Sequence, residues 1–233
     1  MRTMISLVCL LLLSPAALAD RAHTPTTQPP AAQAPAAQAP TTSPPTARPP
    51  APVVQLAPID LAAIPAQCKP LAKQAQAPNP AIAHPARISL ASCMAERAIA
   101  PLSVCDCADS IVAIDAAAAP AIALLDDVIA SAGPAIQAIA EDTEGRLYAG
   151  FAIRLRATLP AVGPGASEAE VTLHDVRAQG LEAQMAPWHE AAMAAFEHVV
   201  ELARAHPEIA RNAAAATAVR DAQQRVAAEV ATR

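Results

Sequence analysis

The stretch PAIQAIAEDTEGRLYAGFAIRLRATL, residues 134–159, decides the fold class of this 233-residue chain. Its core-facing positions recur at intervals of three and four residues, which places them on one face of an α-helix. That face consists of Ile136, Ile139, Thr143, Leu147, Phe151 and Leu155. Acidic residues lie in the first half of the stretch and arginines in the second, as the helix dipole favours. The pattern predicts a long helix with one face buried against its neighbours.

The rest of the chain beyond residue 58 is typical of further helices separated by prolines. No segment shows the polar–apolar alternation of a half-buried strand. Prolines stand where helices are expected to begin, because the first helical turn does not use the N–H that proline lacks. Predicted helices begin near Cys68, His84-Pro85, Asp106, Pro120, Pro134, Ser167, Pro187 and Pro207. The predicted fold is therefore all-α, an antiparallel helix-pair bundle of about seven to eight helices.

The first 58 residues show two different patterns. Residues 1–19 combine an early arginine, a short apolar run and the small-x-small sequence Ala17-Leu18-Ala19, which is the pattern of a signal peptide cleaved after Ala19. Residues 20–58 are rich in Pro, Ala, Thr and Gln and offer little to bury, so they are predicted to be a disordered tether. We expect the mature protein to be periplasmic or extracellular.

Residues 59–233 are the predicted helical domain, with cysteine-containing short helices at 59–118 and longer helices at 119–233. Arginine is much commoner than lysine, which together with the alanine content suggests a GC-rich bacterial genome. The net charge is −5, which excludes the basic footprint of a nucleic-acid-binding protein. No run in the predicted mature chain is long and apolar enough for a membrane span.

Four cysteines remain after the predicted cleavage: Cys68, Cys93, Cys105 and Cys107. An even number of cysteines in an exported protein indicates disulfide bonds, which here would stabilise a segment poor in large apolar residues. A Cys105–Cys107 bond would close a very tight ring and is disfavoured. The remaining pairings are Cys68–Cys105 with Cys93–Cys107, or Cys68–Cys107 with Cys93–Cys105, and the sequence leaves both open.

Redox chemistry and metal binding are the alternatives to this structural role of the cysteines. Cys105-Asp106-Cys107 at a helix start is a candidate redox pair, because a helix N-terminus lowers the pKa of a thiol. The usual redox spacing is Cys-x-x-Cys, however, and Asp106 opposes thiolate formation. A four-thiol metal site also lacks its usual spacing. We therefore predict no metal, no cofactor and no catalytic residue.

Residues 141–207 contain a partial motif on two of the predicted helices. Gly145-x-x-Tyr148 lies on the first, and Ala192-x-x-x-Phe196 followed by Pro207 lies on the second. This combination resembles a degenerate tetratricopeptide repeat (TPR-like) helical hairpin, with about 30 residues inserted between its two halves. The resemblance implies a helical-hairpin scaffold whose groove binds a protein segment.

Three hypotheses for function follow. The leading one is an exported, non-enzymatic helical module that binds or scaffolds another envelope or secreted protein. The alternative is a thiol-redox or metal-handling protein that uses Cys105 and Cys107. The third is an enzyme with a site between helices, which requires Arg154, His189 or Glu190 to converge. His189-Glu190 is not a zinc-protease motif, because Met193 stands in place of the second histidine.

The export hypothesis makes a direct prediction about the natively produced protein. Peptide mapping without reductant should find Asp20 as the mature N-terminus and no free thiol among the four remaining cysteines. A cytosolic product that retains residues 1–19 with reduced thiols would contradict it.

Overall fold

Residues 56–102 and 108–232 are described in a computed structural model of the chain. The predicted signal peptide, the predicted tether up to residue 55, and Cys105 and Cys107 lie outside these residues. Six α-helices are present in the described part: α1 Lys69–Ala75, α2 Pro80–Ile99, α3 Ala108–Ser131, α4 Pro134–Arg156, α5 Glu168–Ala205 and α6 Ala213–Thr232. Short 3₁₀ helices at Ala66–Cys68 and Pro207–Arg211 precede α1 and α6. The all-α prediction is confirmed, since this part contains no strand.

The helix count is lower than the predicted seven to eight because prolines lie inside helices. The segments expected to break at Pro120 and Pro187 are single helices, α3 and α5. Each has an apolar stripe that continues across its proline: Ile114, Ala118, Ala121, Leu125 and Val128 on α3, and Leu181, Met185, Trp188, Ala192, Phe196 and Val199 on α5. An interior proline costs a helix about 3 kcal/mol. Burial of a continuous stripe offsets that cost.

Asparagine side chains determine where two other helices begin. α2 begins at Pro80, four residues before the predicted His84, because the Asn79 side chain accepts the backbone N–H of Ala81. α6 begins after Asn212, whose side chain accepts the N–H groups of Ala214 and Ala215. Such caps satisfy donors that have no partner inside the helix. Pro207, predicted to open the last helix, opens only the 3₁₀ helix.

The helix start predicted near Ser167 is confirmed, and a capping box is present there. The Ser167 side chain accepts the Glu170 N–H, and Glu170 Oε2 accepts the Ser167 N–H at 2.7 Å. α5 is about 57 Å long and α4 about 35 Å. Because Arg156 at the end of α4 pairs with Glu182, the first turns of α5 extend beyond α4 and are largely exposed.

A disulfide bond joins Cys68 and Cys93, with Cα atoms 5.9 Å apart. Both pairings left open by the sequence gave these cysteines other partners, and both are wrong. The physical reason is that Cys68 directly precedes α1 and Cys93 lies on α2, and these two helices pack together. A bond that closes a loop of this length contributes about 3 kcal/mol, mainly by restricting the unfolded chain.

A buried arginine holds the beginning of the described chain against the bundle. Arg87 on α2 forms an ion pair with Asp127 on α3 and donates from Nε to the Ala75 carbonyl at 3.1 Å. Its Nη2 donates to the Ala57 carbonyl at 2.6 Å. Residues 56–58, which the sequence assigned to the tether, are therefore in contact with the bundle at Ala57.

Consecutive helices pack against each other along the chain, and α4 also contacts α2 and α6. Alanine is the commonest buried residue in the described part. Its small side chain lets helices approach closely but buries little apolar area per residue. None of the described helices has the length and apolar character needed to cross a bilayer.

α4 and α5 approach each other closely at Gly145. A Cβ atom placed on Gly145 would lie 2.7 Å from Cε1 of Phe196. The Phe196 ring is only 2% exposed, so it cannot swing away into solvent. Gly145 is therefore required by packing, and its position sets the spacing of α4 and α5.

Two glycines of α4 provide a matched pair of substitutions. We expect Gly145→Ala to lower the free energy of unfolding by about 1–3 kcal/mol, because the new methyl group overpacks the Phe196 ring. Gly150→Ala has no atom within 4 Å of the added Cβ and should raise it by about 0.5–1 kcal/mol through helix propensity. Urea denaturation followed by circular dichroism measures both. Equal effects of the two substitutions would contradict the packing role of Gly145.

Candidate functional site

A cleft of about 650 Å³ lies between α4, α5 and α6. Its base is apolar and includes Ala149, Met193 and Phe196. Its rim is charged and consists of Arg156, Glu182, His189, Glu190, Arg225 and Glu229. Two residues singled out in the sequence, His189 and Glu190, therefore face a shared cavity.

Glu182 organises one side of the rim. Arg156, from the end of α4, forms an ion pair with Glu182 Oε1 on α5. His189 Nε2 lies 3.7 Å from the other oxygen of the same carboxylate, Oε2. All three side chains are about half exposed, so their pairing contributes little to stability and remains available to a ligand.

The opposite side of the cleft depends on Arg225 of α6. Its guanidinium lies 5.0 Å from the centre of the Phe196 ring, which is the geometry of a cation–π contact. Arg225 Nε also donates to Asp221 Oδ2 at 2.9 Å. Asp221 accepts a second bond from Arg146 Nε on α4 at 3.1 Å, so this network connects α6 to α4.

Asp142 is the buried end of that network. Its Oδ2 accepts from Arg146 Nη2 at 2.8 Å, while its Oδ1 has no hydrogen-bond partner among the described residues. Burial raises the pKa of Asp142 to about 6, although the nearby Arg146 guanidinium lowers it. The neighbouring Asp221 carboxylate raises this pKa further.

Arg154 does not join His189 and Glu190. It lines a separate cavity of about 470 Å³ between α2 and α4, together with Glu96 and Phe151. Its Nη2 donates to the Ala100 carbonyl at 3.1 Å. Arg156, two positions further along α4, is the arginine that reaches the cleft, because two residues rotate a helix by about 200°.

The cysteines fall into two groups. Cys68 and Cys93 are bonded to each other, so the four-thiol metal site considered from sequence is not formed while that bond exists. Cys105 and Cys107, the candidate redox pair, lie outside the described residues. Within residues 56–102 and 108–232, no group of three or more His, Cys, Asp or Glu side chains is arranged to hold a metal ion.

Sequence reasoning missed Glu182 and Arg225 as members of the cleft. Neither has a local motif, and each is one of many charged residues on a helix surface. Phe196 and Met193 were noted, the first as part of the repeat motif, the second as the residue that breaks a zinc signature. Their common position emerges only from the packing of α4, α5 and α6.

Comparison with known proteins gives no relative for this chain. No protein-family model matches it, and neither the curated proteins nor the solved structures contain a match. Its possible functions therefore follow from its own geometry.

The buried Asp142 makes stability depend on pH. Its folded-state pKa, about 6, lies above the usual value of 3.8, so the folded state binds the proton more tightly than the unfolded chain. Stability should therefore fall as pH rises from about 4 to about 6 and should not fall further through this group above that range. The full effect is on the order of 2 kcal/mol.

Asp142→Asn tests this prediction, because the amide keeps the shape but does not ionise. We expect the variant to lose the part of the pH dependence of stability that Asp142 causes between about pH 4 and about pH 6. We also expect it to be more stable than the parent protein at pH 7. Urea unfolding curves across that range measure the difference. A variant that follows the parent's pH profile would contradict the assignment.

Proposed function

We propose that the mature chain is an exported, non-enzymatic helical module that binds another envelope or secreted protein through the cleft between α4, α5 and α6. The observation that carries this proposal is the composition of the cleft: an apolar base surrounded by a charged rim. Protein–protein interfaces commonly have this arrangement, in which a central apolar patch is enclosed by polar residues.

The charges of the rim fit recognition of a polypeptide. The rim carries two positively charged residues, Arg156 and Arg225, and two negatively charged ones, Glu182 and Glu190. The cleft therefore presents both signs of charge around Phe196 and Met193. A segment with an apolar anchor and flanking charges of both signs would complement it. Arginine next to an aromatic ring is a frequent centre of binding energy in interfaces.

Two further observations support a binding module over an enzyme. Arg154 lies in a different cavity from His189 and Glu190, so only two of the three residues named for the enzyme hypothesis share the cleft. The residues that carry the resemblance to a tetratricopeptide-like hairpin, Gly145 and Phe196, lie on α4 and α5, which pack together beside the cleft. The proline-rich segment at residues 20–58 would act as a spacer for this module.

Site-specific photocrosslinking tests the proposal in the native cells. A photoreactive amino acid is placed at Ala228, which is exposed and lines the cleft, and in a second variant at Ala227, which is exposed but outside it. We expect one defined protein adduct from position 228 and none from position 227. The adduct should be about tenfold weaker in Arg225→Ala, which removes the cation beside Phe196.

Two results would overturn the proposal. The first is the same set of adducts from both positions, which would show random collision rather than a specific cleft. The second is robust turnover of a small-molecule substrate by the purified mature chain, since the proposed module has no catalytic role.

A further inference from the structure

The first turns of α5 carry an exposed apolar face that no other described helix covers. α5 begins at Glu168, but the first of its residues to be buried is Leu181. Residues 168–180 therefore extend beyond the bundle. Two of their large apolar side chains, Leu173 and Val176, are 52% and 60% exposed. A helical segment of this length is marginally stable in water by itself, since most helical stability in proteins comes from packing of an apolar face.

The exposed apolar residues follow a coiled-coil spacing. Leu173 and Val176 belong to a line of residues spaced four, three, four and three apart, which is the heptad pattern that lets one helix pack along another. The line consists of Ala169, Leu173, Val176, Gly180 and Ala183, which are all exposed. This line is called the α5 seam here. It is distinct from the buried stripe of α5, because Leu181 is turned by about 100° from Gly180.

The α5 seam has room for a second helix at close range. A Cβ atom placed on Gly180 would have no atom within 4 Å, so the described part of the chain leaves that end of the seam open. The small side chains of Ala169 and Gly180 allow another backbone to come near. Leu173 and Val176, in the centre of the seam, supply the apolar area for contact.

The residues that continue the same line along α5 limit how a partner helix can lie. Beyond Ala183 the heptad spacing leads to three exposed carboxylates, Glu190, Glu197 and Glu201. In a parallel pair of α5 helices, each of these carboxylates would face its own copy. An antiparallel pair that overlaps only at the seam brings none of them together. The charge pattern therefore favours the antiparallel arrangement.

The charges beside the seam complement each other when two copies run antiparallel. Glu170 and Arg177 are seven residues apart and lie on the same flank of the seam. If Leu173 packs against Val176 of a second copy, Glu170 comes opposite Arg177 of that copy, and twofold symmetry repeats the pair. A parallel pair would instead place Arg177 beside the uncharged Thr172.

Both charged residues are available for such pairs. Glu170 and Arg177 are exposed and line a cavity of about 230 Å³ between α5 and the loop at residues 160–166. Neither forms an ion pair within the described part of the chain. The two bonds that Ser167 donates to the Glu170 side chain both end on Oε2, so Oε1 remains for another donor. The bonds from Ser167 lower the pKa of Glu170, so its carboxylate is ionised at pH 7.

We propose that the α5 seam binds the same seam of a second copy of this chain, in an antiparallel pair related by a twofold axis. Leu173 packs against Val176 of the second copy, and Ala169 packs against Gly180 of the second copy. Symmetry generates each contact twice. The seam is separate from the cleft with α6, so failure of this proposal leaves the proposed function of that cleft unaffected.

The expected dimer is weak. Four layers of side chains meet, and two of them contain only small residues, so the interface lies at the small end of specific interfaces. We expect a Kd on the order of 10 µM. Sedimentation velocity of the purified mature chain at concentrations from about 1 µM to about 100 µM should show a shift from monomer to dimer. A non-reducing gel excludes covalent dimers as the source of the shift.

Two valines of the exposed segment provide a matched pair of substitutions. Val176 is in the seam, whereas Val171 is 40% exposed and is turned by about 160° from Leu173. We expect Val176→Glu to raise the dimer Kd at least about tenfold, because it places a carboxylate against Leu173 of the second copy. Val171→Glu should leave the Kd unchanged. Circular dichroism establishes that both variants are folded.

Charge reversal tests the antiparallel register. Glu170→Arg and Arg177→Glu each replace two attractive pairs by two repulsive ones, so each variant by itself should dimerise about tenfold more weakly. A mixture of the two variants restores attraction in both pairs and should recover the parent Kd. Loss of the bonds between Ser167 and residue 170 in Glu170→Arg does not produce such a recovery.

Three results would overturn the inference. The first is a chain that remains monomeric at about 100 µM. The second is an equal loss of dimerisation in Val171→Glu and Val176→Glu, which would assign the association to another surface. The third is a mixture of the two charge-reversal variants that dimerises no better than either variant by itself.

Discussion

The contact of Gly145 with the Phe196 ring is the constraint on which the arrangement of this bundle depends. It brings α4 and α5 so close that no side chain larger than hydrogen fits at residue 145. α4 and α5 pack along each other, α2 and α3 contact α4, and α6 contacts both α4 and α5. The cleft at α6 is bounded by this pair.

α4 presents different charged side chains to each of its neighbouring helices. Asp142 and Arg146 face α6, Glu141 pairs with His198 on α5, and Arg154 faces α2. The helix that the sequence identified by its apolar stripe is thus also the one that carries most of the buried charge. Glu141 and Asp142 are adjacent in sequence but belong to different networks, because one residue turns a helix by about 100°.

The sequence predicted well what depends on neighbours along the chain. Helical periodicity predicted the all-α class and the start of α4 at Pro134, and Ser167 marked the start of α5. It was less successful where long-range packing competes with a local preference. Pro120 and Pro187 looked like breaks because a proline disfavours a helix interior, yet the stripe of each helix continues across its proline and packs against α4 on both sides of it.

The same limit explains why the sequence did not predict which functional residues lie together. The pairing of Cys68 with Cys93 depends on how α1 and α2 pack, which elimination among cysteine spacings does not reveal. Arg154 and Arg156 are equivalent by sequence, but only Arg156 faces α5 and α6.

The alanine-rich interior has a thermodynamic consequence for the whole protein. The heat-capacity change of unfolding is set mainly by the apolar area that becomes hydrated, and an alanine core exposes little of it per residue. The curve of stability against temperature should therefore be broad and shallow. Such a protein keeps similar stability over a wide thermal range.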